Sequence, residues 1–186
     1  MTDGAHGPLI LLVTGSTRTM SSNTAALRTA ADSAPDGVRT ELYDRLSELP
    51  AFNPDQDVEP LPPLVADLRG RIGAADAVLF CAPEYAGTLP GTFKNLLDWT
   101  VGGGEMYRKP VAWLTVAPEG RGDGAVGTLA TVLGYLGTVV LDEACLRVPV
   151  PPGSVGADGT VADPAFRAGV ADLLRTVRSR LAALDG

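Results

Sequence analysis

The sequence predicts an α/β fold: a doubly wound parallel sheet of five strands with helices on both faces. Three observations carry that prediction. Continuous apolar runs recur along the chain, as strands buried on both faces do. Segments of helix-forming composition separate them. The two kinds alternate from end to end, which calls for right-handed crossovers within one sheet.

The elements follow in order. "PLILLVTG" (8–15) is an apolar run closed by Gly15, and the alanine-rich stretch 23–34 reads as the first helix. "VRTELYD" (38–44) alternates apolar and polar residues as a second strand, and residues 45–62, with four prolines, read as a loop. A helix is expected over 64–72, ended by Gly73, then a strand in "DAVLFCAP" (76–83) and a helix over 91–101. "KPVAWLTVAP" (109–118) supplies the fourth strand, and 124–137 a helix with Gly137 as its glycine cap. "TVVLDEACLRVPV" (138–150) reads as the fifth strand, with a break at Asp142–Glu143. After a turn-rich stretch, Asp163 caps an amphipathic helix to Ala183, with Val170, Leu173, Leu174, Val177 and Leu181 on one stripe.

At 186 residues and 45% hydrophobic composition, the chain is expected to form one domain over 1–186, with residues 1–8 as a flexible tail. The net charge of −7 argues against a nucleic-acid partner, which requires a basic face. No apolar run reaches the roughly 20 residues of a membrane span, and the start lacks the features of a signal peptide. Cys81 and Cys145 sit in apolar stretches and read as small core thiols, which fits a reducing cytoplasm. The one histidine, His6, lies in the tail, so histidine-based triads and metal sites are set aside.

In doubly wound sheets, ligands bind beyond the carboxyl ends of the strands. Three loops there carry chemistry. The first, "GSTRTMSSN" (15–23), offers Ser16, Thr17, Thr19, Ser21, Ser22 and Asn23 as donors, with Arg18 as a cation. The start of a helix favours an anion. No acidic residue occurs from Gly4 to Ala31, although the chain has 22. The loop lacks the second glycine and lysine of a triphosphate loop and the three glycines of a dinucleotide fingerprint. A cup for a single phosphate group remains, against the plainer reading of a polar turn with a helix cap.

The second loop, "CAPEYAGTLPGTFKNLLDW" (81–99) with the start of its helix, has prolines that stiffen it, glycines that let it bend, and the Tyr85 ring for stacking. Lys94, Asp98 and Trp99, on the helix that follows, read as packing or interface residues. The third, "APEGRGDGAVG" (117–127), holds four glycines with Glu119 and Arg121, and its alternative is a flexible surface turn.

These motifs resemble the NADPH-dependent FMN reductase family of flavodoxin-like proteins. The signature G-S-x-R-x-x-S-x-N stands as Gly15, Ser16, Arg18, Ser21 and Asn23. P-E-Y followed by P-G-x-x-K-N-x-x-D-W stands as Pro83, Glu84, Tyr85, Pro90, Gly91, Lys94, Asn95, Asp98 and Trp99. "LPAFNPDQD" (49–57) is similar to the family's connecting loop, and the resemblance spans about residues 9–150. Two departures stand out. The family asparagine after Tyr85 is Ala86, and the third loop is bulkier and charged.

The resemblance implies a flavodoxin-like sheet of order 2-1-3-4-5 and FMN as cofactor. Ser16, Arg18, Ser21, Ser22 and Asn23 would hold the phosphate. Pro83, Glu84, Tyr85, Ala86 and Gly87 would flank the isoalloxazine, largely through backbone, and Glu119, Gly120 and Gly122 would approach its other edge. It further implies hydride transfer from NADPH or NADH to the flavin and on to a small acceptor such as flavin or quinone, with no catalytic side chain. A homodimer or homotetramer is implied, with helix 91–101 and loop 45–62 as the expected interface. The alternatives are a flavodoxin-like electron carrier or redox-sensing flavin module without NAD(P)H turnover, and a nucleotide-binding protein without flavin. The phosphate cup predicts that Arg18→Ala weakens FMN retention. Flavin titration of the variant checks this, and affinity equal to the parent's would remove the argument for the cup.

Overall fold

The computed structural model describes residues 7–151 and 153–184. Its strands are β1 (Leu9–Thr14), β2 (Arg39–Tyr43), β3 (Ala77–Cys81), β4 (Pro110–Thr115), β5 (Val139–Val140) and β6 (Leu146–Arg147). Its α-helices are α1 (Ser22–Asp32), α2 (Pro63–Ala74), α3 (Gly91–Asp98), α4 (Asp123–Tyr135) and α5 (Pro164–Leu184). Every strand pairing is parallel and the order is β2-β1-β3-β4-β5, with β6 also on β4. This is the flavodoxin-like order that the family resemblance implies.

The strand period of two sorts the core into two layers. From β1 and β3, Ile10, Leu12, Ala77, Leu79 and Cys81 face α1 and α5. Leu11, Val13, Val78 and Phe80 face α2, α3 and α4. Both central strands are therefore apolar throughout, which is why they read as unbroken runs.

The expected fifth strand is two short segments. A 3₁₀ turn at Asp142–Ala144 separates β5 from β6, and both pair with β4. Leu141 and Ala144 are buried while Asp142 and Glu143 are exposed. That three-residue spacing of apolar side chains suits a helical turn and not the alternation of a strand.

Two helix ends also differ from expectation. α2 runs through Gly73 to Ala74 and ends where Ala75 turns extended, with the Lys109 ammonium donating to the terminal carbonyls of Gly73 and Ala75. α3 stops at Asp98, with Trp99 as its cap, still in helical conformation and buried, its indole N–H donating to Pro50 O at 2.9 Å. Gly137, with φ +67°, lies one residue beyond the α4 cap at Leu136, as a helix-terminating glycine should.

Of the expected flexible tail, residues 1–6, His6 included, lie outside the described residues. Gly7 and Pro8 are held in place: their carbonyls accept from Arg39 Nε at 3.0 Å and Arg39 N–H at 2.9 Å.

The proline-rich loop contains 3₁₀ turns at Leu46–Glu48 and Pro54–Gln56 and is fastened to α3 and α2. Asn95 accepts from Phe52 N–H at 2.7 Å and donates to Pro50 O at 2.9 Å. Phe52 packs edge-on against Trp99 at 5.0 Å. Arg69 donates to Trp99 O at 2.7 Å and pairs with Asp57, their side chains only 8% and 13% exposed. Removing one partner of a buried pair strands the other charge. Asp57→Ala is therefore expected to destabilise the protein by about 3 kcal/mol in denaturant unfolding, with no comparable loss for the exposed partner in Arg175→Ala.

Candidate functional site

Parallel strands share one carboxyl edge, so the loops after β1, β3 and β4 gather there. From β1 the chain crosses to α1 on one face, and from β3 it crosses to α3 on the other. The first two loops thus part at the switch point between neighbouring strands.

Gly15 brings them together. Its N–H donates to Cys81 O at 2.8 Å. A Cβ at this position would stand 2.4 Å from the Ala82 Cβ and 2.8 Å from its Cα. Glycine is required here for close approach. Ser16, Ser21 and Asn23 are buried beneath the loop, whereas Thr17, Arg18, Thr19 and Met20 are exposed. Ser16 Oγ accepts from Arg18 N–H at 3.3 Å. Ser21 is the N-cap of α1, its hydroxyl accepting from Thr24 N–H at 3.4 Å, and Ser22 opens the helix.

Asn23 Oδ1 accepts from the Cys81 thiol at 3.4 Å, a bridge between α1 and the end of β3. Burial pushes the Cys81 thiol pKa up, so the thiol remains a protonated donor. Among the described residues, the N–H groups of Thr17, Thr19, Met20, Ser22 and Asn23 meet no acceptor. Free amides, a helix start, an exposed guanidinium and no carboxylate make a donor set that fits a phosphate ester.

In the second loop, Tyr85 and Thr88 exchange backbone hydrogen bonds at 3.0 and 3.1 Å around Ala86 (φ +51°) and Gly87 (φ +78°). Positive φ at both central positions is the type I′ hairpin, whose preferred pair is Asn-Gly. Ala86 stands where the family has asparagine, so a side-chain contact from that residue is absent. The backbone makes a further demand there, because a left-handed alanine is strained by roughly 1–2 kcal/mol. Pro83 is half-buried and the Tyr85 ring is about half exposed, at 47%. The Glu84 carboxylate turns away from the edge and accepts from Gly124 N–H at 2.8 Å and Ala125 N–H at 3.2 Å.

Glu119, Gly120 and Arg121 are exposed in the third loop, and Gly120 and Gly122 have φ +75° and +86°. Sequence reasoning missed what shapes this loop. Arg147, at the end of β6, donates to the carbonyls of Ala117 (3.3 Å), Pro118 (3.2 Å) and Arg121 (2.6 Å) and pairs with Asp123. A charged residue closing an apolar strand was the one signal available. Thr14 was also missed; its hydroxyl meets Ser16 N–H at 3.3 Å and the Thr24 hydroxyl at 2.9 Å. Lys94 and Asp98 form an ion pair along α3, and Trp99 is core.

Among the described residues, no three His, Cys, Asp or Glu side chains gather to hold a metal ion, and no helix is long and apolar enough to cross a membrane.

The profile of the family described as NADPH-dependent FMN reductase matches residues 8–149. The chain belongs to the NADPH-dependent FMN reductase family. An NAD(P)H-dependent FMN reductase of Pseudomonas aeruginosa is 32% identical over 164 residues, covering 85% of this chain and 86% of that protein. An NADPH:quinone oxidoreductase of Arabidopsis thaliana is 31% identical, with coverage of 96% and 95%. Among solved structures, the flavoenzyme NAD(P)H:(acceptor) oxidoreductase FerB of Paracoccus denitrificans superposes with a TM-score of 0.78 at 26% identity, over 92% of this chain and 98% of that one. As a member of the family the chain is an oxidoreductase that uses FMN and NAD(P)H, and the carrier alternative gives way to an enzyme.

Ala86→Asn is expected to raise stability by about 1 kcal/mol, read as a higher denaturant midpoint at unchanged slope. An unchanged or lower midpoint would show that Ala86 bears no strain.

Proposed function

We propose that the three loops hold FMN along the carboxyl edge of the sheet, as a single FMN-binding domain, and that the enzyme reduces a small acceptor of the quinone or flavin class. The observation that carries this reading is the set of free amides and Arg18 at the β1–α1 turn, set across the switch point from the exposed Tyr85 turn. Ser16, Arg18, Ser21, Ser22 and Asn23 hold the phosphate. Pro83, Glu84, Tyr85, Ala86 and Gly87 flank one edge of the isoalloxazine, and Glu119, Gly120 and Gly122 the other. The flavin supplies a centre that takes up hydride from NADPH or NADH and passes electrons on.

The chain's own part is binding and orientation. Arg18 and the loop amides neutralise the phosphate and fix the position of the ring through it. The Ala86 and Gly87 N–H groups find no acceptor among the described residues and stand ready for ring carbonyl oxygens. Donors fixed in the fold favour negative charge that develops on the ring. Two free thiols, Cys81 and Cys145, support a reducing, cytoplasmic setting.

A homo-oligomer is supported by the outer face of α4. From Gly124 to Thr138 there is no charged residue, and Gly127, Ala130, Thr131, Gly134 and Tyr135 are exposed, Tyr135 at 90%. This face joins helix 91–101 and loop 45–62 as a place for subunit contact.

Arg121 has no salt-bridge partner among the described residues and is the guanidinium suited to the 2′-phosphate of NADPH. The FMN-loaded protein is expected to oxidise NADPH with quinone or flavin as acceptor. Arg121→Ala should raise the KM for NADPH roughly tenfold, the worth of one charge-assisted contact, while the KM for NADH stays put. Failure to take up FMN would remove the proposed function. Equal effects on both nicotinamides would remove only the role of Arg121.

A further inference from the structure

The loops of the site are joined to one another as well as to their strands. The N-cap position of α4 is Gly122, which has no side chain to cap the helix. The cap comes from another loop, 40 residues away in sequence: Glu84 Oε2 accepts from Gly124 N–H at 2.8 Å and from Ala125 N–H at 3.2 Å. A carboxylate is the favoured group at this end of the helix dipole. The contact is close throughout. A Cβ on Gly124 would stand 2.0 Å from Gly87 O and 3.0 Å from Glu84 Oε2, so α4 rests directly on the turn. The Thr88 and Thr128 hydroxyls add a bond at 2.8 Å. On the far side, Asp123 in the first turn of α4 pairs with Arg147, which gathers the third-loop carbonyls.

We infer that Glu84 is a positioning residue that fastens the Tyr85 turn to the start of α4, so that the second and third loops form one wall before flavin binds. This rests on the flavin reading proposed above. Glu84 acts through α4: its Oε2 is committed to the two helix amides, and its place along the ring edge in the proposed site is through backbone. A wall ordered in advance spares the ligand the cost of ordering it. Without the cap, that cost returns on binding.

The test compares FMN with riboflavin, which has the ring but no phosphate, by fluorescence titration of the flavin-free protein. Losing a cap of this kind corresponds to a roughly tenfold weaker affinity. Glu84→Ala should weaken FMN and riboflavin by the same factor of about ten, since the ring wall is what changes. Glu84→Gln, which keeps an acceptor oxygen, should recover most of the affinity. Hydrogen exchange at the Gly124 and Ala125 amides should speed up in Glu84→Ala and slow again in Glu84→Gln. Gly124→Ala, which favours the helix itself but pries it from Gly87, should weaken both flavins as Glu84→Ala does, and the double variant should be no worse than either.

Arg18→Ala is the control: it should weaken FMN and leave riboflavin unchanged. If Glu84→Ala binds both flavins as the parent does, or loses FMN alone, the positioning role is overturned. A parent that binds neither flavin would overturn the flavin reading instead.

Discussion

The approach of β1 to β3 at Gly15 and Ala82 is the constraint on which the site depends. Two adjacent parallel strands end side by side, and their chains leave for opposite faces of the sheet. A crevice opens there only if the strand ends are in contact at its base. Gly15 allows that contact, since a single methyl group would overlap both Cα and Cβ of Ala82. The Gly15–Cys81 backbone bond and the Cys81–Asn23 contact then fix the start of α1 relative to the end of β3. Everything proposed to touch flavin is measured from that base.

Around it, charge is used mainly to hold backbone. Arg147 meets three carbonyls, Glu84 two amides, and Arg69 a carbonyl and Asp57. Loops that leave a sheet carry backbone groups with no ladder partner, and leaving those groups unsatisfied is costly. Side chains supply the missing partners here. The exposed charges Arg18 and Arg121 are thereby left to act outward, while Glu84 and Arg147 organise the loops behind them.

How much of this was legible follows from how local each contact is. The donor-rich turn behind the proposed cup was readable because Ser16, Arg18, Ser21 and Asn23 lie within a few residues of one another at one strand–helix turn. Gly137 was readable for the same reason. The partners of Glu84 and Arg147 lie 24 to 41 residues away, and no nearby pattern announces them. The α3 end is similar: a helical pattern continued to residue 101, but the helix closes at its Trp99 cap, whose indole bonds Pro50 O, 49 residues away. The Asp142–Ala144 turn was foreshadowed by its two acids, yet its effect, two separate strands on β4, required the sheet.

The sequence by itself determined the order and kind of the major elements, the two-sided burial of β1 and β3, and the donor-rich turn that points to a phosphate. Periodicity, composition and short-range hydrogen bonding decide those features, and all are properties of neighbouring residues. Tertiary structure alone decided that Glu84 caps a helix and that Arg147 shapes the third loop. Those outcomes depend on which groups come to lie within bonding distance once the sheet has closed its crossovers, and chain neighbours carry no record of such distances.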